Sequence, residues 1–273
     1  MDNSLLTELG AKMIGGTLND NRILDETSEQ PLVQILPDAN VIKIGGQSFI
    51  DRGRAAVFPL IAEIKQLLKE KQHKMIIGTG AGTRARHAYS VGADLGMPVG
   101  VMGVLGTFVS MQNARMMHYL LAQQGIPYIE PGQFAQLPLY LEQKNAVIFF
   151  GMPPYTFWQK NPKIGKIPPH RTDTGCYLVS EVFGTRSMIY IKDEKGLYTA
   201  DPKKDKDAKF IPKVTVSELK EMGLGDSVVE PSVIDMMQNA EHSKTIQIIN
   251  GLEKGNLTKA LNGEHVGTII TAD

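Results

Sequence analysis

The sequence predicts an α/β fold: an open, mainly parallel sheet with helices on both faces, preceded by an N-terminal extension arm. Three observations predict it. Strand-like runs alternate with helix-period segments along most of the chain, as in successive crossover units. β-branched residues dominate these short apolar runs, as they do in buried strands. Two of the runs, ending near residues 44 and 77, pass directly into glycine-rich turns.

The totals narrow the function classes. A chain of 273 residues forms one large α/β domain or two small ones, with ample core either way. Lys plus Arg equals Asp plus Glu, 29 each, which argues against duplex nucleic acid as a partner. The single cysteine, Cys176, cannot form an internal disulfide and fits a reducing compartment. No N-terminal stretch joins a basic start to an apolar core, and no run of about eighteen apolar residues exists. A soluble cytoplasmic protein with no membrane partner is expected.

Residues 1–36 differ from the rest. Gly15-Gly16 and a polar, acidic run through Gln30 separate two short apolar pieces without a sustained period. An arm ordered against a neighbouring subunit and a loosely ordered tail both fit this pattern.

The first strand lies in Val41-Ile42-Lys43-Ile44, followed by Gly45-Gly46-Gln47. The glycines let an anion approach backbone N–H groups, and Lys43 adds a point charge suited to phosphate. A lysine at a strand end before a tight turn has the same appearance. Neither Gly-x4-Gly-Lys-Ser/Thr nor Gly-x-Gly-x-x-Gly occurs at this strand. Val57, Leu60, Ile61, Ile64, Leu67 and Leu68 then recur at helical spacing, with Pro59 expected in the first turn.

Lys74–Ile77 is the second strand, and Gly78-Thr79-Gly80-Ala81-Gly82-Thr83-Arg84 leads from it into a helix over 85–95. Free amides at that helix start are a second anion site on the same sheet edge as the first. A longer helix over 104–124 carries Met111, Ala114, Met117, Leu120 and Leu121 on one face, read as core. Strand-like pieces follow at 127–129 and 146–150.

Residues 151–171 lapse into a proline- and aromatic-rich loop, either functional or a packed surface cover. Thr172-Asp173 opens a helix closed by Gly184, with Asp173 suited to cap it or to orient lysines or a metal ion. Strands at 188–191, 245–249 and 266–270, and a helix marked by Val233, Met236, Met237 and Ala240, complete the pattern. The charged stretch 203–209 is expected to be a solvated loop.

Four segments together carry a resemblance: Lys43-Ile44-Gly45-Gly46, Thr172-Asp173-Thr174-Gly175, Gly196-Leu197-Tyr198-Thr199-Ala200-Asp201-Pro202 and Gly263-Glu264-His265-Val266-Gly267-Thr268. In order and spacing they resemble the amino-acid kinase superfamily, and the last two look like bacterial uridylate kinase. The resemblance covers about residues 38–272 and implies one nucleotide-binding domain over 37–273 behind the arm.

The departures point to a branch of that superfamily. Uridylate kinases carry Lys-x-Ser-Gly-Glu and Gly-Gly-Gly-Asn in the two phosphate loops, and an acidic residue where this chain has Lys195. The strings at 52–57 and 77–87, and the insert at 151–171, are instead similar to the molybdenum-storage family. Its β type is the nearer, because the histidine-rich run of the α type is replaced here by Thr156-Phe157-Trp158.

This resemblance implies ATP-dependent storage of molybdate or tungstate as polynuclear oxide clusters inside a hexameric cage. The cage is built from copies of this chain or with a related α-type subunit. A uridylate kinase or related small-molecule kinase is the alternative, and a nucleotide-binding scaffold without turnover is a third. The catalytic candidates are Lys43, Asp173 and Lys192. ATP would engage Lys43, Gly45, Gly46, Gly80, Gly82, Lys192 and Asp193, with Gly196, Tyr198, Asp201 and Pro202 around the adenosine. Glu194 and Asp173 are the Mg²⁺ candidates. His170 and Arg171 are the first oxometallate candidates, ahead of Arg84, Arg86 and His87.

Overall fold

The computed structural model describes residues 7–28, 30–224 and 227–273. The chain divides into two compact units, residues 1–33 and 34–273. In the first, α1 (Glu8–Gly15) and α2 (Asn21–Ser28) pair through Lys12, whose ammonium lies 3.0 Å from Glu26. Thr7 caps α1 by accepting the Gly10 N–H.

The second unit begins its sheet with β1 (Ala39–Ile44). Then come α3 (Arg54–Glu70), β2 (Lys74–Thr79), α4 (Thr83–Asp94), α5 (Val99–Leu120), α6 (Leu137–Lys144) and β3 (Ala146–Phe149). After the long loop follow α7 (Thr172–Phe183), β4 (Ser187–Lys192) and a two-residue hairpin pair, β5 (Leu197–Tyr198) and β6 (Phe210–Ile211). The chain closes with β7 (Lys213–Thr215), α8 (Val216–Met222), α9 (Pro231–Met237), β8 (Thr245–Asn250), α10 (Asn256–Leu261) and β9 (Thr268–Thr271).

The main sheet runs β3-β2-β1-β4-β8-β9-β7, parallel throughout except where β9 meets β8. This is the mainly parallel sheet that the alternating pattern predicts. Side-chain alternation along each strand divides the core. Val41, Ile76, Val147 and Tyr190 pack toward α6, α7, α8 and α9. Ile42, Ile44, Ile77, Ile148 and Ile189 pack toward α3, α5 and α10. Burial on both faces explains why the central strands show no polar alternation. Ala114, Met117 and Leu121 lie in the second layer, so the methionine-containing face is core.

Several boundaries differ from expectation. Pro59 sits inside α3, because the helix starts at Arg54, behind Gly53, and its buried face begins at Ala56. Pro59 lies on the exposed side, where the Ala55 carbonyl that loses its partner can turn to water. The helix after Pro98 starts at Val99, five residues before the expected Val104. Residues 127–129 contribute one bridge, Tyr128 to Ile148, and no strand. The three-residue β7 was not legible from the sequence pattern.

Among the described residues, no helix is long and apolar enough to cross a membrane.

Candidate functional site

Parallel pairing brings the C-terminal ends of β1, β2 and β4 to one edge. Lys43 stands beside Gly78 on one side and Tyr190 on the other. Alternation places Lys43 on the same side as Val41, the side that α7 covers. There the first turn of α7 presents Asp173. Lys43 Nζ lies 2.5 Å from Asp173 Oδ1, and Lys192 Nζ lies 3.2 Å from Oδ2. Two lysines from adjacent strands thus share one buried carboxylate.

The environment sets the charge of this trio. Burial opposes the Asp173 carboxylate most strongly, but Lys192 and Lys43 together outweigh it and hold its carboxyl well below the usual range. Burial likewise works against the Lys43 ammonium, yet Asp173 prevails and raises its pKa. For Lys192, burial and the repulsion of Lys43 outweigh the longer contact with Asp173, and its pKa falls.

The two glycine loops meet in backbone contact. A Cβ on Gly80 would stand 2.5 Å from Gly46 N and 3.2 Å from Lys43 Nζ, so only glycine allows this approach. Asn113 on α5 pins the second loop by donating to the carbonyls of Gly80 at 2.6 Å and Ala81 at 3.0 Å. The expected N–H donors need revision. The Gly45 N–H donates to Ile191 O at 2.9 Å and the Gly80 N–H to Ile44 O at 2.8 Å, both extending the sheet. Among the described residues, the N–H groups of Gly46, Gln47, Ser48, Ala81 and Gly82 are the ones in these loops that donate to no group of the chain, and Gly46 and Gly82 are the glycines among them.

The helix starts are also not open in the way the sequence suggests. Asp51 Oδ2 accepts the Thr83 N–H at 2.6 Å and caps α4. Asp173 does not cap α7: the N-cap residue is Arg171, whose side chain makes no capping bond. Glu230, just before α9, caps α7 instead. It accepts the N–H groups of Arg171, Asp173 and Thr174 at 2.8, 3.2 and 3.2 Å.

The β5–β6 hairpin follows Lys192 across the same edge. Leu197 N–H donates to Thr268 Oγ1 at 2.8 Å, and the Tyr198 ring meets Phe210 at 5.5 Å between centroids. Asp193 is held by Arg52 and, at 2.7 Å, by Lys203, which also reaches Glu194 at 3.2 Å. Burial opposes the Asp193 charge, but Lys203 and Arg52 keep its carboxyl below the ordinary range. Lys203 stays exposed, as expected for 203–209, while making these ion pairs. Asp201 is exposed and accepts the Lys203 N–H at 3.0 Å, shaping the turn before Pro202.

His170 lies half-buried at the end of the long loop, its Nδ1 3.3 Å from Tyr155 Oη, and burial lowers its pKa. Arg171 donates to Pro168 O at 2.7 Å and lies 3.6 Å from Glu230. Arg84 turns to Gln112 and Asn113 on α5, while Arg86 and His87 are exposed on α4. Among the described residues, no three His, Cys, Asp or Glu side chains are grouped to hold a metal ion, so His170, Asp173 and Glu194 form no common cluster. Of the two carboxylates suggested for Mg²⁺, Asp173 is enclosed by lysines and Glu194 faces one lysine at the surface.

Cys176 lies under Lys43, fully buried, and burial drives its thiol far above the ordinary range. Native protein at pH 7 is therefore expected to leave Ellman's reagent unreacted, with one thiol titrating after denaturation. Rapid reaction of the native protein would contradict this placement.

Taken together, the edge offers two lysine side chains, unpaired loop N–H groups that include those of Gly46 and Gly82, and glycine backbone close enough for direct contact. That set suits a polyanionic oxygen ligand, and it can stabilise charge on transferring phosphate oxygens.

Residues 38–250 match the model of the amino acid kinase family. The chain is 53% identical over 265 residues to the molybdenum storage protein subunit beta of Azotobacter vinelandii, covering 97% of each chain. It is 31% identical over 241 residues to a uridylate kinase of Thermofilum pendens, covering 85% of this chain and 97% of that one. The UMP kinase of Bacillus anthracis superposes with a TM-score of 0.69 at 18% identity, over 87% of this chain and 97% of the other.

Proposed function

The chain belongs to the amino acid kinase family, and from that premise we propose that it uses ATP to store molybdate or tungstate as polynuclear oxide clusters within an oligomer. The observation that carries this reading is the 53% identity, end to end, with a molybdenum storage subunit. The edge of the sheet supports the nucleotide half of the reading. Lys43 and Lys192 would hold the phosphate oxygens, the Gly46 and Gly82 N–H groups would donate to them, and Asp173 would keep both lysines aimed. Leu197, Tyr198 and the turn through Asp201 and Pro202 would enclose the nucleoside.

A triphosphate supplies most of the oxygen ligands that Mg²⁺ requires. Glu194 is the carboxylate free to complete them once Lys203 swings aside. Mg²⁺ would neutralise phosphate charge there. His170 and Arg171 would face the oxometallate, a dianion matched by the Arg171 guanidinium and by an N–H of the His170 ring. Assembly into a hexamer, with itself or with an α-type partner, belongs to the same proposal.

Metal analysis after incubation with molybdate, Mg²⁺ and ATP tests it against a control without ATP. Many molybdenum atoms per chain, in the ATP sample only, is the expected result. Absence of metal together with UMP-dependent release of ADP would replace the storage reading by the uridylate kinase one.

A further inference from the structure

We infer that Glu230 is a positioning residue for the nucleotide site, standing as a built-in anion at the start of α7 and fixing the turn that carries Asp173. The inference rests on the reading that the Lys43–Asp173–Lys192 trio handles the triphosphate, and it adds a residue from a distant part of the chain.

The geometry is specific. Glu230 is 6% exposed and makes four bonds to the first turn of α7. Its Oε2 accepts the N–H groups of Arg171 and Thr174 and, at 2.6 Å, the Thr174 hydroxyl; its Oε1 accepts the Asp173 N–H at 3.2 Å. The Asp173 carbonyl is held in turn by Tyr190 Oη at 3.0 Å. Every polar group of Asp173 is therefore tied: N–H to Glu230, carbonyl to Tyr190, carboxylate to the two lysines.

An ordinary cap would come from the chain just before the helix. Here the cap arrives from 57 residues beyond Asp173. A buried carboxylate is a costly way to satisfy helix N–H groups. What the remote cap adds is rigidity between two elements and a second negative charge beside two buried lysines. Thr174 Oγ1, whose proton goes to Glu230, accepts from Ser232 Oγ at 2.6 Å, and Ser232 Oγ lies 3.2 Å from Pro169 O. The start of α9 thereby fixes α7 and the end of the 151–171 loop at once. Glu230 favours the charged form of both lysines, and its occupancy of the α7 amides leaves an incoming oxyanion to the two lysines.

Three variants test this in the full-length protein, with ATP turnover, ATP affinity and circular dichroism as readouts. Glu230→Ala should keep its ATP dissociation constant within a few-fold of the parent while turnover falls about a hundredfold, the scale of a misplacement of about 1 Å. Sodium formate, small and acceptor-only, should restore turnover saturably by occupying the vacated position. Glu230→Asp should retain more turnover than Glu230→Gln, although Gln is the closer match in size. Both oxygens of Glu230 face donors, so the Gln amide must set its NH₂ against one of them.

A cap with only a structural role would lower turnover only as far as circular dichroism shows folded protein lost, with formate restoring the two together. That result, or folded variants with the turnover of the parent, overturns the inference. If Glu230→Ala does not fold, the Asp and Gln comparison decides alone. Lys43→Ala is the separate control. If it keeps normal ATP affinity and turnover, the nucleotide reading fails; if only the Glu230 variants behave as the parent, the positioning role fails.

Discussion

Asp173→Asn is expected to destabilise the protein by about 3–5 kcal/mol, the cost of breaking a buried ion pair from one side. The size follows from what remains. Asp173 is 5% exposed and is the carboxylate in contact with both Lys43 and Lys192. Asparagine fills nearly the same volume, so packing is kept and the change is electrostatic. Two ammonium groups then face each other with no charge between them. Lys43, whose pKa Asp173 raises against burial, loses that support.

A surface pair would change stability by only about 0–1 kcal/mol. Urea unfolding at pH 7 separates these outcomes, and a loss below 1 kcal/mol would contradict the buried trio. The pH dependence gives a second check. The folded-state pKa of Asp173 is depressed, so its contribution is complete above the unfolded carboxylate value, near 4, and is lost as pH falls through the folded value. The parent should lose stability along that acid limb, and the asparagine variant should show a smaller slope. ATP turnover should vanish in the variant, since neither lysine keeps a fixed position.

The parts of this site that the sequence discloses are those written in local runs. Lys43 and Gly46 sit within seven residues of one strand, and Asp173 opens a helix whose period and closing Gly184 are plain. The parallel sheet is equally legible, because its central strands are buried on both faces and flanked by amphipathic helices. What escapes is set by tertiary register. Gly45 and Gly80 carry the same local signal as Gly46 and Gly82, but their N–H groups are consumed by Ile191 and Ile44 on neighbouring strands.

Glu230 precedes Pro231 at the start of a short helix and reads as an ordinary capping position for that helix. Its bonds to α7 depend on how two helices pack, which no window of sequence contains. Arg52 and Lys203 are lost among other charged residues for the same reason, and the two-residue strands of the hairpin are too short to show a period. Pro59 shows the converse: a local rule placed it in the first turn, and the burial of Ala56 and Val57 started the helix earlier.

Gly46→Ala is the second change expected to have a large effect, and it separates close backbone approach from charge. A methyl group at Gly46 would overlap Gly82 N, lie 2.7 Å from Gly82 Cα and 2.9 Å from the Ala81 carbonyl carbon. All three are backbone atoms, so no side chain can rotate away. The loops must part, at an overpacking cost of about 1–3 kcal/mol. That movement displaces the N–H groups of Gly46 and Gly82, two of the loop donors left to meet a phosphate oxygen. A shift of about 1 Å at such donors is worth about a hundredfold in rate. ATP-dependent metal uptake should therefore slow by about that factor, while circular dichroism shows a folded protein and the Lys43–Asp173 pair stays intact. Gly132→Ala is the matched control, since a Cβ there meets nothing within 4 Å. Equal uptake rates for the two alanine variants would mean that the loop contact does not shape the site. A selective loss at Gly46 would assign the rate to backbone donors held in place by the meeting of two glycine turns, with the lysine charges alone insufficient.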